Sequence, residues 1–172
     1  MTHKQRKLIN GEYLKQYSIL PRNYDLTEID NFIPIAESVH IEPIIGKALY
    51  EELLDQVQNN NLTNENSTLL LEIYKVEGIA VVYEALPFLY ANITSVGITK
   101  GKSDNSDSID NKDITYLNTH LKSQLDFAKR KLKEFLDDNS NHFPKYAPIQ
   151  NESINNQSVN IFAIPKDFDD FI

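Results

Sequence analysis

Glu37 and His40 stand three residues apart in Glu37-Ser38-Val39-His40, the spacing by which di-iron helical bundles offer a carboxylate and an imidazole to one metal. That chemistry requires a second Glu-x-x-His pair and two further glutamates, and the chain of 172 residues contains no second pair. The expectation is therefore an exposed or capping histidine near a helix end. Gly97-Ile98-Thr99-Lys100-Gly101-Lys102-Ser103 looks at first like a phosphate-binding loop, but it has three residues between its glycines where that loop needs four. It also follows a helical pattern rather than a strand, so its amides would not converge on a phosphate, and a solvated loop is expected. Tyr116 and His120 share a helix face, as do Glu51 and Asp55, yet no serine, histidine and acid stand in a nucleophile context. The row Lys129-Arg130-Lys131-Lys133 could meet nucleic acid, but Asp126, Glu134, Asp137 and Asp138 flank it, which reads as a solvated helix face. The residues thus predict no enzyme, no metal and no cofactor.

The elements that would position these groups are helical. A short helix is expected over Gly11 to Tyr17, followed by extended Ile19-Leu20-Pro21. A second opens near Asp25 or Thr27, where Asp, Thr and Glu suit a cap. There Ile29, Phe32, Ile33, Ala36 and Val39 recur at helical spacing, and Pro34 bends the helix or marks a late start. Pro43 and Gly46 punctuate the next break, and Lys47 to Asn59 reads as helix three. Ser67 is the expected cap of a fourth helix from Thr68 to about Ser95, apolar nearly all round from Ile79 to Tyr90. Such a helix belongs at the centre of a bundle or between subunits, with a kink at Pro87. The aromatic residues Tyr74, Tyr83, Phe88 and Tyr90 read as core or interface packing. Val96 to Asn111 reads as a polar loop. The last helix, Asp113 to Asp137, is plain from Ile114, Leu117, Leu121, Leu125, Ala128, Leu132 and Phe135.

Size permits a single domain with a real core at 41% apolar residues. The absence of cysteine excludes a disulfide framework and cysteine-held zinc. Met1 to Asn10 is polar and basic, unlike a secretory signal, and the run Ile79 to Ile93 falls short of the roughly 20 residues of a spanning helix, so a protein without a membrane partner is expected. The net charge of −8 is uneven: Lys4, Arg6, Lys7, Lys15 and Arg22 face one acid, Glu12, before Tyr24, whereas Phe135 to Ile172 is acidic. Such ends could attract a neighbouring copy. An acidic chain holds DNA poorly, because affinity for DNA comes mainly from neutralising phosphates.

The sequence divides into a helical bundle over 1–138 and an extended C-terminal arm over 139–172. In the arm Pro144, Pro148 and Pro165 break helices and no helical period survives. Val159, Ile161, Phe162, Ile164, Phe168, Phe171 and Ile172 nonetheless make it too apolar to be idle. It reads as a segment that gains order by docking on its own bundle or on a neighbour, so that deletion beyond Asn139 should leave the helicity nearly intact. The fold class is all-α, a small bundle of about four to five helices with this arm.

Together these residues resemble a family. The short helix ending Tyr13-Leu14-Lys15-Gln16-Tyr17-Ser18-Ile19-Leu20 is followed by an amphipathic helix and by Ile44-Ile45-Gly46-x-x-Leu49-Tyr50-x-x-Leu53. After a variable loop come a long helix with Ala85-Leu86-Pro87-Phe88-Leu89, a polar loop, and a last helix with Tyr116-Leu117. The order, over about residues 10 to 137, is similar to the head-completion or head-to-tail adaptor proteins of tailed bacteriophages, especially the neck ring proteins of crAss-like and other phages of gut Bacteroidota. The resemblance implies a virion protein, present in the host cytoplasm during assembly. It would form an oligomeric ring, usually of twelve copies, that joins the portal protein to the tail or to further neck rings and touches the genomic DNA only in passing. Head-to-tail contact sets unlike patches together, and the halves expected here are Leu86, Phe88 and Tyr90 on one side and Phe162, Ile164, Phe168 and Phe171 of the arm on the other. The alternative from a different class is a helical interaction module or regulator that binds one partner.

Overall fold

Helix α1, Gly11–Tyr17, starts where the Asn10 side chain accepts a hydrogen bond from the Tyr13 amide at 3.0 Å, which satisfies a donor the first turn leaves free. The structure is a computed structural model and describes residues 6–27, 29–94, 97–100 and 111–148. The next helical stretch runs from Asp30 to Ile45 in four pieces: a 3-10 turn, Asp30–Phe32; α2, Ile33–Ala36; a π turn, Glu37–Ile41; and α3, Glu42–Ile45. Pro34 lies in the first turn of α2 and Pro43 in that of α3, where a missing amide hydrogen costs little. Pro34 thus marks the late start, and the helix does not open at Asp25 or Thr27. The π turn has a cause in Pro43, because a proline ring clashes with the carbonyl four residues back. That residue is Val39, and the chain widens around it, with the Glu42 amide bonding to the Glu37 carbonyl five residues back.

Gly46 separates α3 from α4, Lys47–Asn59, with φ of 84°, a conformation glycine adopts without steric cost. A Cβ there would lie 2.1 Å from the Ala147 carbonyl oxygen. Helix α5, Asn64–Tyr90, is capped by Thr63, whose hydroxyl accepts from the Asn66 amide at 3.1 Å. Ser67, the expected cap, instead bonds back to the Thr63 carbonyl from inside the helix. Helix α5 stops at Tyr90, with Pro87 in its last turn, and the chain turns into a ribbon of β1, Ala91–Thr94, and antiparallel β2, Gly97–Lys100, with Ile93 opposite Ile98. The ribbon replaces the end of the expected fourth helix and the start of the expected polar loop. Helix α6, Asn111–Asp138, completes the bundle.

The architecture is all-α, with five helical stretches among the described residues and the small ribbon appended. Helix α5 lies at the centre and packs against α1, α2, the π turn and α6. Most of its apolar circumference is thereby used inside the chain: Ile73, Val76, Ala80, Val81 and Ala85 are buried with Leu14, Ile33, Leu53, Leu125 and Leu136 in one core, while Leu71 and Phe88 stay exposed. At Gly78 the approach of α1 is so close that a Cβ would stand 2.2 Å from the Tyr17 carbonyl oxygen.

Residues 139–148 lie against the bundle. Phe143 is buried beside Phe135, Lys145 pairs with Glu52 at 2.8 Å, and the Tyr146 hydroxyl donates to Asp137 at 2.8 Å. The remainder of the expected arm, and residues 101–110 of the expected loop, are outside the described residues. No helix among the described residues is long and apolar enough to cross a membrane.

Candidate functional site

The π turn carries Glu37 into the middle of the bundle, where it is fully buried together with Glu77 of α5. Glu37 is well held: the Leu8 amide donates to one carboxylate oxygen at 2.6 Å and the Tyr50 hydroxyl to the other at 2.7 Å. The Tyr74 hydroxyl donates to the Leu8 carbonyl at 3.2 Å. Neither oxygen of Glu77 has a hydrogen bond of good geometry, although Glu37 and the Ile9 amide lie near enough to act on its proton. Burial first, and then the charge of Glu37, push the Glu77 carboxyl well above the ordinary carboxylate range, and the Ile9 amide opposes them more weakly. Burial followed by the charge of Glu37 raises the Tyr50 phenol, and burial followed by Glu77 raises that of Tyr74. The cluster is a clasp of two buried acids and two phenols. It fixes Leu8 and Ile9, both buried, against α4, α5 and the π turn.

A pH dependence follows. With its folded-state pKa above the 4.5 of a free glutamate, Glu77 binds more protons folded than unfolded, so stability falls as pH rises from about 4.5 toward the folded value, by at most about 1.4 kcal/mol per pH unit. Glu77→Gln removes that titration. The stability difference between variant and parent, from urea unfolding followed by circular dichroism, is therefore expected to grow in the variant's favour from pH 5 to pH 8. A difference that ignores pH would show that Glu77 is ionised in the fold.

His40 is a correction to the sequence reading. It is buried, not an exposed cap. Its Nε2 lies 2.7 Å from Glu84 Oε1 of α5, and its Nδ1 lies 3.4 Å from the Lys129 ammonium of α6. The tautomer with hydrogen on Nε2 satisfies both, donating to Glu84 and accepting from Lys129. The wide turn sends Glu37 and His40 to different partners, so the Glu-x-x-His spacing produces no shared ligand pair. Among the described residues no group of three or more His, Cys, Asp or Glu could hold a metal ion.

The other residues with chemical potential are occupied structurally. Glu51 and Asp55 both hold Arg6, at 3.0 and 2.5 Å. Lys131 pairs with Glu134 at 2.6 Å and Lys133 with Asp137 at 2.6 Å; Arg130 lies 4.0 Å from Glu134, and Lys129 turns to His40. Tyr116 and His120 stack on the surface of α6 with ring centroids 6.4 Å apart. Gly97 to Lys100 is strand β2, which offers no helix N-terminus to a phosphate.

Of the expected interface residues, Leu86 is half-buried against the core and Phe88 is 52% exposed, its ring 5.3 Å from Phe32. The side chain of Tyr90, and Phe162, Ile164, Phe168 and Phe171, are outside the described residues. The structure adds Ile35 and Val39, 45% and 51% exposed, which follow Phe32 in the same helical stretch. Sequence reasoning set Val39 on the buried face and passed over Ile35 and Glu77. The one available signal for Glu77 was a single acid inside the apolar run Ile73 to Val82.

A family described as a family of unknown function (DUF6712) matches residues 41–156 of this chain. No curated protein and no solved structure matches it.

Proposed function

We propose that this chain, which belongs to the DUF6712 family of unknown function, is a structural component that assembles into a ring in the neck of a tailed bacteriophage, joining the portal to the tail while the duplex passes through. The observation that carries the reading is the trio of exposed apolar side chains Ile35, Val39 and Phe88, the last packed beside the half-buried Phe32, on a bundle whose core is already filled by α5. A soluble bundle has no internal use for such a trio, and a subunit contact does. Arg130, Lys131 and Lys133 of α6 are paired with Glu134 and Asp137, and the net charge of −8 would repel phosphate from a channel wall and let DNA slide.

Native mass spectrometry of the purified chain, alone and with a portal, tests this. The expected species contains many copies, twelve by resemblance to neck adaptors. Ile35→Lys with Phe88→Lys is expected to lower the ring fraction at least tenfold while shifting the thermal midpoint by only a few degrees, because both side chains are already half in water. A chain that stays single when portal is added would overturn the reading, and a one-to-one complex with one host protein would favour an interaction module instead.

A further inference from the structure

A groove of about 690 Å³ opens where the end of α1 meets the facing sides of α5 and α6. Ile79 and Ala128 line it from α5 and α6, and Ile19 and Phe127 stand open to solvent in it at 62% and 53% exposure. Its polar lining includes His120 and Lys75, whose ammonium pairs with Glu72 at 2.6 Å outside the lining. Arg130 and Lys131 hold their cationic heads 5.2 and 5.9 Å from the centre of the Phe127 ring. An apolar groove rimmed by the cations of ion pairs (Lys75 with Glu72, Lys131 with Glu134) suits an occupant with apolar anchors flanked by acids that can share those cations.

The chain contains one such segment outside the described residues. Residues 1–5 and 101–110 carry no aromatic side chain, whereas Asp167-Phe168-Asp169-Asp170-Phe171-Ile172 alternates aromatic anchors with aspartates. The segment follows a long stretch of chain. Ala147 is fixed to the bundle, its amide 3.4 Å from the Ile45 carbonyl oxygen, and the residues from Pro148 to Phe168 span up to about 65 Å when extended. Helix α6, the longest element among the described residues, is about 42 Å long.

We propose that Phe168 to Ile172 of one copy fill this groove on the adjacent copy, with the aromatic rings against Ile19, Ile79 and Phe127 and the aspartates beside Lys75, Arg130 and Lys131. The proposal rests on the ring reading above. It supplies that reading with an unlike pair of surfaces, a segment and a groove, which is what head-to-tail closure requires. The acidic and basic partners make the contact weaken with added salt.

The test uses the full-length chain with a photoreactive phenylalanine analogue in place of Phe168, prepared as nitrogen-15-labelled and unlabelled pools that are mixed and assembled together. Irradiation is expected to yield cross-linked peptides that join a labelled chain to an unlabelled one at Ile19, Ile79 or Phe127. Phe127→Asp should cut that yield at least tenfold, and Phe127→Tyr should retain it. Cross-links confined to single chains, landing on other surfaces, or absent altogether would overturn the proposal. Native mass reads the ring separately: a ring without groove cross-links sinks this contact alone, whereas a solitary chain linked only to itself sinks both.

Discussion

Gly78→Ala is expected to destabilise the bundle by about 2–3 kcal/mol, although alanine in the interior of a helix ordinarily gains up to about 1 kcal/mol over glycine. Gly78 lies in the middle of α5, where propensity alone would favour the exchange. The opposing term is steric. The added Cβ would meet the Tyr17 carbonyl oxygen at 2.2 Å and its carbon at 2.6 Å, both backbone atoms that no side-chain rotation can move. Helix α1 must then retreat, and it carries with it Leu14, which is fully buried, and the Tyr13 and Tyr17 rings that pack on Tyr74 at 5.0 and 5.7 Å. Urea unfolding by circular dichroism measures the change in midpoint. A variant as stable as the parent would show that α1 slides away at no cost.

The two buried acids are expected to respond in opposite directions to the same kind of substitution. Glu37→Leu removes the acceptor for the Leu8 amide and the Tyr50 hydroxyl, which leaves two donors unpaired inside the bundle at about 1–3 kcal/mol each. The expected loss is about 2–5 kcal/mol, lessened because Glu77 no longer faces a charge. Glu77→Met exchanges an acid without a good partner for an apolar chain of similar length, and at pH 8 is expected to gain about 1–3 kcal/mol. Unfolding free energies of both variants and the parent at one pH decide the matter. If Glu77→Met is as damaging as Glu37→Leu, the Glu77 carboxyl has a bonding role that its geometry does not display.

Much of this architecture could be read from residues alone. Helices Gly11–Tyr17 and Lys47–Asn59 match their expected bounds to the residue, because each is delimited by a local signal: the Asn10 side chain before the first, Gly46 and the asparagine-rich end around the second. Local signals failed where the chain departs from 3.6 residues per turn. A helical period places Val39 inward with Ala36, but the π turn sets Val39 outward and buries Ile41. The same widening turned His40 from a surface cap into a buried partner of Glu84 and Lys129. Glu77 was invisible for another reason, since a polar residue within an apolar run ordinarily marks a solvent face, and α5 at the bundle's centre has none there. For the candidate surface, the apolar run contained Phe88, but only the packing of α5 tells that Phe88 faces outward while Leu86 leans on the core.

The Gly46 junction has a mechanical corollary. Ala147 occupies the space that any side chain at that position would claim, and its amide is tied to Ile45. Tension applied to the polypeptide beyond Pro148 is therefore delivered first to the bend between α3 and α4, not to the far end of α6. A hooked strap of this kind ties whatever holds that end of the chain to the corner between two helices, and the positive-φ glycine is the corner.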